Sequence, residues 1–164
     1  MARNFKKVGN ANPCITQKFN EDSCVMVYNG RIYVYSTNDG TATPSVGASN
    51  DYGKINQINV ISSSDMVNWT DPMGNHLINN CPGVVWLFDP AVLVDSDGSG
   101  YLYYSYCTNW TSGYRGAAKI GYMTSKSTIG PFTYRGTCLD NPGAFFGLLV
   151  ITGLLKMSLL IFQG

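Results

Sequence analysis

Two runs rich in β-branched and aromatic residues, 23–28 (SCVMVY) and 31–37 (RIYVYST), flank the dipeptide Asn29-Gly30. Asn-Gly supplies the positive φ angles of a type I′ turn, so the pair predicts a β-hairpin. The pattern recurs. Residues 86–94 (WLFDPAVLV) and 101–106 (YLYYSY) bracket Asp95-Ser96-Asp97-Gly98-Ser99-Gly100, and residues 118–124 (AKIGYMT) and 132–135 (FTYR) bracket Gly130-Pro131. Between them, residues 55–62 (INQINVIS) alternate apolar and polar, as a strand with one buried face should. No stretch before residue 144 has a persuasive helical period. The fold class predicted is all-β, a sandwich or radially repeated sheets.

Composition supports this and removes several functions. The 164 residues allow one ordinary domain. Eleven basic residues against ten acidic ones give a net charge of +1, which excludes the broad positive field of a non-specific nucleic-acid binder. Aromatics at 13% and charged residues at 13% exclude a disordered chain. The cysteines Cys14, Cys24, Cys81, Cys107 and Cys138 contain no C-x-x-C pair and are odd in number. They read as free thiols in a reducing compartment rather than as a disulfide framework or a zinc site. With no apolar stretch after Lys6 and Lys7, a secretory signal is not evident, so a cytoplasmic location is expected.

The familiar site motifs are missing. The 95–100 turn opens like a calcium loop, but its twelfth position is Tyr106 rather than Glu, so it is read as a hairpin turn. There is one histidine, His76, and neither a G-x-S-x-G elbow nor a phosphate-binding loop, so no metal site or cofactor is expected. Carboxylates are few. Glu21 is the only glutamate, Asp22 follows it at the entry to a strand, and Asp89 sits inside the apolar run 86–94. An acid in a core strand needs either a turn that satisfies it or a function.

Longer phrases carry a family resemblance. Residues 12–39 (NPCITQKFNEDSCVMVYNGRIYVYSTND), 55–71 with the turn S-D-M-x-x-W, 86–104 with D-P-x-x-x-x-D-x-D-G, and 117–136 (AAKIGYMTSKSTIGPFTYRG) with its G-P-F resemble successive parts of glycoside hydrolase family 43. Those enzymes are five-bladed β-propellers acting on xylan and arabinan. The resemblance implies an incomplete propeller with fewer than four blades' worth of sequence. It also implies inverting hydrolysis of β-xylosides or α-L-arabinofuranosides, with Asp22 as general base and Asp89 as the acid that orients the proton donor and raises its pKa. Trp86 and Phe88, beside Asp89, are candidates for an apolar sugar platform, with core packing as the alternative.

The expected partner is therefore an oligosaccharide or polysaccharide, not nucleic acid or a membrane. Open strand edges would also allow self-association. Two departures matter. The family's proton donor is a Glu in a later blade; this sequence has no Glu after Glu21, and the stretch that would carry it, after Tyr104, is missing. A second shortening falls between Asp71 and Asn80. Hydrolysis by this chain is accordingly expected to be impaired, with a non-catalytic carbohydrate-binding remnant as the alternative. The family's structural calcium has no matching motif here.

Three segments result: an N-terminal extension (1–11), a propeller part (12–143) and an apolar tail (144–164). The tail approaches membrane-span length, but Lys156 near its middle costs about 2.5–3.5 kcal/mol on insertion scales. A packed segment and a stretch foreign to the fold compete with that reading. Codons for Gly-Asn-Asn read one base late give Val-Ile-Thr, as at 150–152, so the tail is expected to be out of frame after about Gly147.

Overall fold

The computed structural model describes residues 20–38, 57–71, 76–77, 86–107 and 118–140. The expectations for 1–11 and for the apolar tail lie outside these residues.

Among the described residues, eight strands form two four-stranded antiparallel sheets, each in simple sequence order. The first sheet contains β1 (Asn20–Tyr28), β2 (Arg31–Asn38), β3 (Gln57–Ser63) and β4 (His76–Leu77). The second contains β5 (Trp86–Val94), β6 (Gly100–Cys107), β7 (Ala118–Ser125) and β8 (Thr133–Asp140). No helix occurs among the described residues. The three predicted hairpins are present. The first closes on Asn29 at φ 48° and Gly30 at φ 69°, the double positive-φ turn that Asn-Gly favours. In the third, β8 continues five residues beyond the predicted end at Arg135 and starts after Phe132, which packs beside the core instead.

The sheets meet through β5, which lies against β1 and β2. One core is shared between them. Tyr35, Ile58 and Val60 come from the first sheet, and Leu87, Val92, Leu102, Tyr104, Tyr106 and Met123 from the second. Tyr35 also donates its hydroxyl to the carbonyl of Thr128 in the β7–β8 connection. Gly121 lets β7 pass close to the buried Tyr104 and Tyr106 rings, since a Cβ there would lie 2.8 Å from the Tyr104 ring.

β3 corrects the one-face expectation. After Gln57 every residue of the strand is buried. Ile58 and Val60 enter the shared core, while on the other face Ile61 is capped by Trp69. The 63–69 turn delivers that Trp. Asp65 Oδ1 accepts the N–H groups of Val67 (2.9 Å) and Asn68 (2.7 Å), Oδ2 accepts the Asn68 amide (2.7 Å), and these bonds hold the carboxyl well below the usual carboxylate range. Arg31 then spans from β2 to Ser62 and Thr70 beside it.

Candidate active site

Strand register explains how two acids far apart in sequence come together. In β1 the pairing with β2 steps from Glu21↔Thr37 to Cys24↔Tyr35, so Asp22 and Ser23 together oppose Ser36. In β5 the pairing with β6 steps from Phe88↔Ser105 to Ala91↔Tyr103, so Asp89 and Pro90 together oppose Tyr104. Each is a β-bulge, a device that bends a strand and re-aims a side chain. Both acids have left-handed backbone, φ 51° at Asp22 and φ 54° at Asp89. Such a conformation costs an L-residue roughly 1–2 kcal/mol, least for Asp and Asn. Two matched departures of this kind in the first strand of each sheet are a strong pointer to function.

The bulges are pinned to each other. The Asp89 N–H donates to Thr37 Oγ1 at 3.0 Å, and the Val92 N–H reaches Cys24 Sγ at 3.4 Å, so β5 is strapped to both β1 and β2. Ser23 and Ser36 hydroxyls bond at 2.8 Å within the first bulge. At the entry to β1 the buried Asn59 donates Nδ2 to Asn20 Oδ1, also at 2.8 Å.

This framework brings the Asp22 and Asp89 carboxyl groups close enough to interact. Asp22 is exposed and Asp89 half-buried. Burial, then the hydrogen bond to Asp22 and its negative charge, push Asp89 up from 3.8 to about 7. Asp89 therefore keeps its proton to a higher pH than an isolated carboxyl would. The resemblance casts Asp89 as raising another acid's pKa; here its own pKa is the one raised.

Two acids in contact cannot flank a sugar as proton donor and base, which in inverting hydrolysis stand about 6.5–9.5 Å apart. The geometry suits a base and a neighbour that orients it. Of the predicted platform, Phe88 is only 7% exposed, which favours the core-packing alternative. Trp86 begins β5, and its side chain lies outside the described residues. No group of three or more potential metal ligands occurs among the described residues. Sequence reasoning missed Thr37 and Cys24, which hold the bulges, because nothing local distinguishes them from other strand residues.

No family model matches the chain. Among curated proteins it is similar to the arabinoxylan arabinofuranohydrolases of Bacillus subtilis (strain 168), 28% identical over 87% of this chain, and of Paenibacillus polymyxa, 26% identical over 85%. It spans about half the length of these relatives, 54% and 43% respectively. The first match runs over 277 residues, whereas 87% of 164 residues is about 143, so internal stretches of the relative have no counterpart here. Among solved structures it resembles a GH43 β-xylosidase/α-arabinofuranosidase from a compost microbial metagenome in complex with xylotriose. Identity there is 25% and the TM-score 0.58, over 76% of this chain and 36% of that one. All-β, with two four-stranded sheets arranged as in part of a propeller, the chain resembles the glycoside hydrolase family 43 enzymes and is shortened relative to them.

Proposed function

We propose that the Asp22–Asp89 pair is the base side of an inverting pentosidase site, acting on β-xylosides or α-L-arabinofuranosides of xylan, and that this chain alone turns such substrates over poorly. The observation that carries the reading is the convergence of two acids from matched positive-φ bulges. Asp22 is exposed and so open to a water, from which it takes the proton as that water attacks the anomeric carbon. Asp89 holds the Asp22 carboxyl in place through their shared proton and acts as a positioning residue. The leaving oxygen needs a proton from the opposite face of the sugar. Glu21 is the chain's only glutamate, and it adjoins the base in the same strand. Lacking a donor forfeits about 10²–10⁴-fold in rate.

Aryl pentosides, whose leaving groups need the acid least, are the most permissive test. We expect p-nitrophenol release from aryl β-xylosides and α-L-arabinofuranosides to stay near the uncatalysed background. Brisk release that Asp22→Ala abolishes would refute the impairment and support the site. Brisk release that survives Asp22→Ala would refute the site.

A second reading, a carbohydrate-binding remnant without turnover, is favoured by the tyrosines on the second sheet. Tyr103 and Tyr122 stack at 6.0 Å and, like Tyr101, are half-buried, leaving ring surface for a sugar. Calorimetry with xylo- and arabino-oligosaccharides separates the readings, since binding without product formation favours the remnant.

A further inference from the structure

A concavity lies toward the other end of the second sheet. Tyr101, Thr124 and Thr133 are register partners across β6, β7 and β8, so they share one face. Their strand neighbours Leu102 and Met123 turn the other way into the core. With Lys126, Ser127, Gly130 and Pro131 of the β7–β8 connection, the three register partners line an open cleft of about 590 Å³. That volume is in the range of small-molecule sites. Three residues of β6, about 10 Å, separate Tyr101 from the position opposite the Asp89 bulge.

The charge of the cleft is one-sided. β8 is bulged here: Tyr134 pairs with Met123 and Gly136 with Tyr122, so Arg135 has no partner residue in β7. The Arg135 Nε donates to Thr124 Oγ1 at 2.7 Å, which fixes the guanidinium against the cleft while the side chain stays exposed. Lys126, also exposed, lines the same cleft. No carboxylate lines it among the described residues. Asp97, beside the lining Ser99, spends its carboxylate on the Ser99 N–H (2.8 Å) and hydroxyl (3.0 Å).

We propose that this cleft is a binding site for an acidic sugar. The planar guanidinium of Arg135 receives the carboxylate of a uronic acid residue, Lys126 adds a second positive charge, and the Tyr101 ring offers a face to the pyranose. Ser125 and Ser127 line the same cleft; their hydroxyl oxygens accept the N–H groups of Ser127 (3.1 Å) and Ile129 (3.3 Å), and their hydroxyl hydrogens can donate to the sugar. The site is separate from hydrolysis, since it draws on neither Asp22 nor Asp89.

Calorimetric titration of the full chain tests it with three probes: xylotriose bearing one glucuronic acid, plain xylotriose, and inorganic phosphate. The uronate ligand should bind, and Arg135→Gln should weaken it at least about tenfold. Lys126→Gln, a change in an exposed turn that leaves the strands intact, should weaken it by about threefold, and raising the salt should do the same. Asp22→Asn should leave uronate binding unchanged, so failure of the hydrolytic reading would not register here. Binding of plain xylotriose with equal affinity and equal sensitivity to Arg135→Gln would overturn the proposal. So would phosphate matching the uronate ligand, or a folded protein that ignores the uronate.

Discussion

The first strands of the two sheets use the same backbone device and end in different electrostatic states. β1 and β5 each carry an Asp in a bulge at nearly identical φ, 51° and 54°. β1 is at a margin: Val25 and Val27 are 60% and 68% exposed, and Asp22 faces water. β5 is enclosed: Leu87 is wholly buried, Val92 enters the shared core, and Asp89 is half-buried. Backbone geometry therefore aims the two acids, while burial decides which of them keeps the proton. A site needing one open carboxylate and one protonated neighbour obtains both from a repeated strand by covering one copy.

Substitutions along the two strands should separate sharply if this contrast is right. Leu87→Ala should destabilise the fold by about 2–5 kcal/mol, as deletion of a fully buried side chain does. Val25→Ala on the open strand should stay within about 0.5 kcal/mol. Urea unfolding of both variants measures this, and similar costs would mean that β1 is covered in solution.

The acids themselves should differ next. The folded-state pKa of Asp89 is raised, so its contribution to stability is fully present below pH 3.8 and is lost as pH rises to about 7. The shift corresponds to roughly 4 kcal/mol, and screening of this partly exposed pair should reduce that to about 2 kcal/mol. Asp89→Asn should flatten the fall in stability between pH 4 and pH 7. Thermal melts across that window test it, and an unchanged slope would remove Asp89 as the protonated partner.

The smallest contrast is in the hairpin turns. Gly30→Ala meets open space and should cost about 1 kcal/mol for its left-handed backbone alone. Gly98→Ala adds a Cβ 3.0 Å from the Tyr28 hydroxyl and should cost visibly more. Equal costs in denaturant unfolding would mean that Tyr28 yields freely.

The hairpins were legible because Asn29-Gly30 and the 95–100 turn encode their geometry locally. Asp22 and Asp89 were legible as candidates through long phrases in a family's order, and Asp89 also as an acid within an apolar run. Their contact was not, because it depends on two register slips and on the docking of β5 by Thr37 and Cys24, which are non-local. Burial of β3 on both faces was hidden for the same reason. Its alternating sequence specifies one apolar face, and the Trp69 turn covers the other. Phe88 shows the converse limit, since an aromatic beside a candidate acid looks the same in sequence whether it stacks on a ligand or fills the interior.

The shared core has a consequence for synthesis. Tyr35, Ile58 and Val60 wait for Leu87, Leu102, Tyr104 and Met123, the first of which lies 52 positions after Tyr35. At about 5–20 residues per second, Tyr35 stays bare for roughly 3–10 seconds before Leu87 is even made. That interval, rather than the finished fold, is when a chaperone would matter most.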